Sequence, residues 1–187
     1  MAAMRFIGYA GDCVIEAVID LPEDGRLTDR LNHSATVTLS KVRLQALDDG
    51  RVVEVGDLEL DLHDIYAVEA PAHGKPAEQR IATRSAPVQV EAGPYRMVGQ
   101  LHGPTTADAL LSIGRRNRMI PLTHATLVFN FAGRTMTLDR PVVIFNRDRA
   151  ESVRRVVYQR TKLDELGHSP VDPRTNGMTP EPSLGLE

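Results

Sequence analysis

The chain has 187 residues, four Tyr and four Phe but no Trp, a single cysteine and a net charge of −3. One cysteine excludes an internal disulfide and fits a reducing compartment, and so few aromatics leave the cores to Leu, Val, Ile and Ala. No charged-then-apolar leader opens the sequence and no apolar run approaches about 18 residues, so it predicts a soluble, cytoplasmic protein with no membrane partner.

Charge is unevenly spread. Residues 1–70 carry six Lys/Arg against fourteen Asp/Glu, a net of −8, whereas residues 88–166 carry twelve against seven, a net of +5. Halves of opposite sign attract each other, align molecules head to tail, or offer a basic face to an anion.

In chain order, Arg5–Ala10 and Val14–Leu21 read as two short strands joined by the Gly11-Asp12 turn, and Pro22 to Gly25 ends the second. Leu27 and Leu31, four apart, share a helical face too short to be stable alone, so that turn or two of helix must lie as a lid on the sheet. The organising stretch is Leu39–Leu62, a hairpin in which Leu39, Val42, Leu44 and Ala46 lead into Asp48-Asp49-Gly50 and Val53, Val55, Leu58, Leu60 and Leu62 return. Ile65–Val68 adds a last strand. Ala, Pro, Gly, Lys, Gln and Ser then dominate as far as Pro87, which predicts a linker.

An echo of the hairpin runs without a gap from Leu122 to Phe145, with Gly133-Arg134 standing where Gly50-Arg51 stood. Glycine recurs where a tight turn needs positive φ. Before it, Val88–Glu91 and Tyr95–Leu101 repeat the opening pair, and Thr105 to Ile113 reads as a second short helix, with Asp108 near its start and Gly114 at its end. Pro141 predicts an edge or a break in the last long strand. Val153, Val156, Val157, Leu163 and Leu166 form an apolar stripe among arginines, which predicts an amphipathic C-terminal helix over 150–166 that docks on a partner. The proline-bearing stretch after Gly167 predicts a disordered tail.

The predicted fold is mainly β: two tandem small Sm-like or SH3-like barrels, each with a short helix. The first is acidic (1–70) and the second basic (88–149), joined by a linker (71–87) and followed by the helix (150–166) and the tail (167–187). One continuous sheet, or a helix in place of either glycine-tipped hairpin, would overturn this plan and the functional readings that rest on it.

Leu21-Pro22 with Arg26-Leu27-Thr28-Asp29-Arg30-Leu31-Asn32, together with Leu122-Thr123-His124-Ala125, resembles an uncharacterised family of small strand-rich bacterial domains. That resemblance implies a fold but no activity. The stretch Thr36–Glu69, preceded by two strands and a loop, is similar to the bent five-stranded barrel of Sm-like proteins. The likeness implies that final strands pair with neighbours to give a ring. Sm-like RNA binders carry an Arg-Gly or similar pair before the last strand; here those positions hold His63-Asp64 and Asn146-Arg147.

No local motif supplies a nucleophile with its base, a phosphate-cradling glycine loop, or histidines at metal-ligand spacing, so no catalytic residue, metal or cofactor is assigned. Cys13 opens an apolar strand and reads as structural. Asp57, Glu59 and Asp61 alternate with Leu58, Leu60 and Leu62, the pattern of a half-buried strand with a solvent face. The anion-binding candidates are Arg115, Arg116 and Arg118, extended by Arg147, Arg154 and Arg155, because guanidinium forks match phosphate oxygens. These observations predict a non-enzymatic binding or scaffolding protein that contacts a protein partner or further copies of itself. The alternative is an RNA or DNA binder using the basic half.

Overall fold

A computed structural model of the chain describes residues 2–23, 25–71 and 82–156. Its elements are β1 (Ala2–Ala10), β2 (Cys13–Leu21), α1 (Leu27–His33), β3 (Thr36–Ala46), β4 (Val52–Asp61), β5 (Ile65–Ala70), β6 (Thr83–Ala92), β7 (Tyr95–Pro104), β8 (Met119–Phe131), β9 (Arg134–Asn146) and β10 (Ser152–Arg155). Short 3-10 turns at Leu62–Asp64 and Arg147–Arg149 lead into β5 and β10. The ten strands form one antiparallel sheet in the order β10-β6-β7-β8-β9-β5-β1-β2-β3-β4.

The expectation of two separate closed barrels is therefore corrected. The sheet is continuous because β5 carries β1 on one side and β9 on the other. The duplicated plan nevertheless persists within it, strand by strand. Each half runs in the order last-first-second-third-fourth, and the registers superpose: Val14↔Gln45 on Arg96↔Val128, Glu16↔Arg43 on Val98↔Thr126, Val18↔Ser40 on Gln100↔Thr123. The pairs Gly8↔Val68 and Tyr9↔Ala67 likewise correspond to Val90↔Val153 and Glu91↔Ser152.

Gly50 and Gly133 both take φ of +73°, the left-handed conformation that disfavours a Cβ. The echo is not gapless, however. Leu39 pairs with Leu58, but Leu122 pairs with Val143, so the returning strand is offset by 85 residues where the outgoing one is offset by 83. A longer ladder at the tip, ending in Phe131↔Arg134, absorbs the difference. Lys41 and His124 hold positive φ at equivalent places, marking one irregularity copied into both halves.

Two hydrophobic cores lie side by side. The first gathers Phe6, Ile15, Ile19, Leu27, Leu31, Leu39, Leu62 and Val68, and admits Met119 and Ile144 from the second half. The second gathers Val88, Val90, Tyr95, Met97, Leu101, Leu122, Leu127 and Phe145, and admits Tyr9, Val14 and Ala67 from the first. The cores thus exchange side chains across the β5·β9 seam, as alternate residues of a strand point to opposite faces.

Three further expectations change. Thr105–Ile113 forms turns and a 3-10 segment (Ile113–Arg115) in place of a second α-helix. Asp108 Oδ1 accepts from Leu110 N at 2.8 Å, and Leu111 is left 87% exposed. The side chain of Asp108 competes here with the helical backbone. β9 runs unbroken through Pro141, which lies between the pairs Thr123↔Val142 and Ala125↔Arg140 and opposite the irregular His124, where no ladder bond needs its missing N–H. Finally, Ser152–Arg155 is a strand and not the start of a helix. It completes the edge of β6 in the register Ser152↔Glu91 to Arg155↔Val88, and Val156 N donates to Pro87 O at 3.0 Å. A helix there would leave that ladder unpaired. The rest of the predicted helix (157–166), the tail (167–187) and residues 72–81 of the linker lie outside the described residues, while Thr83–Pro87 belong to β6.

Candidate functional site

Two features carry chemistry. One is the relation between the internal seam and the free edges of the sheet; the other is a cleft beside α1. At the seam, Ala67↔Phe145 through Ala70↔Val142 form the ladder. Asn146, fully buried, donates its amide to Leu62 O (3.0 Å) and Ile65 O (2.9 Å) and accepts from Asp148 N (3.1 Å), so every side-chain atom able to bond is engaged. Arg140 Nε meets Glu69 Oε2 at 2.7 Å, and Tyr9 OH donates to Glu69 Oε1 at 2.5 Å. Glu69 raises the Arg140 pKa through that hydrogen bond, whereas burial, then Glu69, raises that of Tyr9. Tyr9, Tyr66, Tyr95 and Phe129 stack edge-on or tilted with centroids 5.4–5.9 Å apart, so half of the eight aromatics gather where the halves meet.

Among the described residues the free edges are β4 and β10, the counterparts of β9 and β5. On β4, Val52, Val53 and Val55 are 39%, 49% and 44% exposed, an unusual concentration of open apolar surface on one edge strand. Asp57, Glu59 and Asp61 face solvent as expected, with Leu58 half-buried and Leu60 buried between them. Among the described residues no cluster of three His, Cys, Asp or Glu side chains is placed to hold a metal ion. Cys13 is half-buried; burial and then Asp12 push its thiol pKa up to about 11, which keeps it protonated and poorly nucleophilic.

The six candidate arginines separate. Arg154 is paired with Glu91 at 2.5 Å, Arg155 with Asp108 at 2.6 Å and Arg147 with Asp148 at 2.8 Å; Arg147 also donates to Gly114 O and Arg116 O. Arg118 donates to Ser34 O at 3.1 Å, tying its half of the sheet to the loop after α1. The Ser152 hydroxyl, and after it Arg154, hold Glu91 below the usual carboxylate range; Asp108 is lowered first by the Leu110 N–H and then by Arg155. These arginines fasten the fold. Of the proposed partner-binding helix, Val153 is half-buried against the second core and Val156 is half-buried, while Val157 and Leu163 lie outside the described residues.

Arg115 and Arg116 come together instead on a cleft of about 750 Å³ between α1 and the 112–121 segment. Sequence reading missed the residues that build it, Asn32 and His102 among them, because they come from connections far apart in the chain. The Asn32 amide donates to Met119 O (2.9 Å) and accepts from Met119 N (2.9 Å), which docks α1 on the start of β8. No protein-family model matches the chain, and no curated protein or solved structure gives a significant match.

Proposed function

We propose that the chain is a non-enzymatic binding or scaffolding protein that makes its contacts along the free edges of the sheet, with a second copy of itself as the partner. The observation that carries this reading is that β4 and β10 correspond to the two strands already joined inside the molecule. Placed in the register of the seam, Ser152 of one copy opposes Leu60 of the next, Arg154 opposes Leu58, and Arg155 opposes Asp57. The exposed valines of β4 supply apolar surface to cover.

Light scattering after size exclusion, over a wide range of protein concentration, tests it. Assembly by the parent chain and its loss in Val53→Lys with Val55→Lys is the expected result, as is loss on ending the chain at Ala150. A strict monomer at high concentration would remove the reading. The alternative, RNA or DNA binding by the basic half, rests on Arg115 and Arg116, because the other four candidate arginines are engaged within the fold. It predicts binding of a single-stranded oligonucleotide that falls with salt and with Arg115→Ala plus Arg116→Ala.

A further inference from the structure

The cleft beside α1 is independent of the sheet edges, since none of its lining residues belongs to β4 or β10. Its lining is mainly apolar, with Pro104 and Pro121 exposed and the buried Met119 and Ile120 behind them, and it includes Arg115 and Arg116. Neither arginine forms an ion pair among the described residues, in contrast to Arg147, Arg154 and Arg155. Arg115 is exposed. Arg116 is half-buried, and burial lowers its pKa, so its cation sits where solvent compensates it incompletely.

The guanidinium of Arg116 is also held in place. Nη2 donates to Ala109 O at 3.2 Å and lies 3.4 Å from Ser112 Oγ, which leaves Nη1 and Nε without a hydrogen bond among the described residues. It packs on Gly103, where an added Cβ would lie 2.8 Å from Nη2 and 2.9 Å from Ala109 Cα. A glycine that makes room for a cation, two free donors, and an apolar floor form a site of the size that encloses small organic molecules.

We propose that this cleft binds a small organic anion, an apolar body bearing one phosphate or carboxylate, with Arg115 and Arg116 on the charged group and Pro104 and Pro121 against the body. His102 and Asn117 line the same cleft. Burial first, then His124 and Arg116, lowers the His102 pKa, so the ring adds no charge, and its nitrogens lie 2.7 Å from Thr123 Oγ1 and 3.4 Å from Thr83 Oγ1. Asp29, on the opposite wall, disfavours a ligand with a second negative group at that end.

Calorimetric titration of the full chain with phenyl phosphate and with benzoate tests this, with inorganic phosphate as the headgroup alone and phenol as the body alone. Saturable binding of at least one of the two complete anions, at least tenfold tighter than of either fragment, is expected. Arg115→Gln, which disturbs no contact within the fold, should weaken it about tenfold, the usual effect of losing one charge-assisted hydrogen bond. Gly103→Ala keeps both charges but displaces Arg116, and should weaken binding to a similar degree; Arg134→Gln, at the hairpin tip, should change nothing. Absence of saturable binding to the parent chain up to about 10 mM of either anion overturns the proposal. So does unchanged affinity in an Arg115→Gln, Arg116→Gln variant whose circular dichroism and melting temperature match the parent.

Discussion

The seam at β5·β9 and the open edge at β4 are built from corresponding strands, yet one is sealed and the other bare. The comparison turns on a single atom. Asn146 and Asp61 occupy equivalent places, and each Oδ1 caps the following 3-10 turn, accepting from Asp148 N and His63 N respectively. The second atom differs: Asn146 has an NH2 that reaches Leu62 O and Ile65 O, whereas Asp61 has a second oxygen, which can only accept. Elsewhere along the seam lie Tyr9, Glu69 and Arg140, whereas β4 carries carboxylates and exposed valines. A strand edge thus becomes a permanent joint or an open one through the donors and apolar cover placed beside it, not through its ladder.

Putting the edge's chemistry into the seam should have the largest effect. Asn146→Asp sets a buried acceptor against Leu62 O and Ile65 O, and a loss of about 3 kcal/mol or more is expected in urea unfolding at neutral pH. Part of it should return in acid, where a protonated carboxyl can donate once. Arg140→Met comes next, leaving Glu69 half-buried and without its cation, with an expected loss of about 1–2 kcal/mol by the same measurement. Tyr9 keeps its hydrogen bond, so the change reports the ion pair.

The third way to sharpen the comparison is pH at β10. Glu91 titrates below its usual value of 4.5 because Ser152 and then Arg154 favour its charged form. A depressed folded-state pKa gives stability that is present above the ordinary value and fades as pH falls through the lowered one. Amide protection factors in β10, taken against the intrinsic exchange rate at each pH, should therefore fall as the solution is acidified below about pH 4.5, and Glu91→Gln should flatten that dependence. The smallest effect is the reciprocal of the first: Asp61→Asn gives the open edge a donor, and self-association measured by sedimentation should tighten a few-fold, about 1 kcal/mol or less. An unchanged constant would show that the edge does not meet its partner as the seam does.

Much of this fold was legible in the amino-acid order. Alternating apolar residues placed the strands, Gly50 and Gly133 marked the tips, and the recurrence of the pattern exposed the duplication, since each depends on neighbours a few residues apart. The site was less legible. Arg115 and Arg116 were singled out with four arginines whose partners, Asp148, Glu91, Asp108 and the carbonyl of Ser34, include three from distant strands and loops. Valines at 153 and 156 fit a helical stripe as well as a strand, and the open ladder of β6 chose the strand.

Sequence alone determined the antiparallel β character, the doubled plan and the opposite charges of its halves, because periodicity, turn residues and composition are local quantities. Tertiary structure decided that the halves share one sheet, which arginines are tied down, and that a cleft opens beside α1. Those outcomes depend on which unpaired strand edge and which buried donor meet in space. Chain order leaves that choice open until the side chains of both halves compete for the same backbone groups.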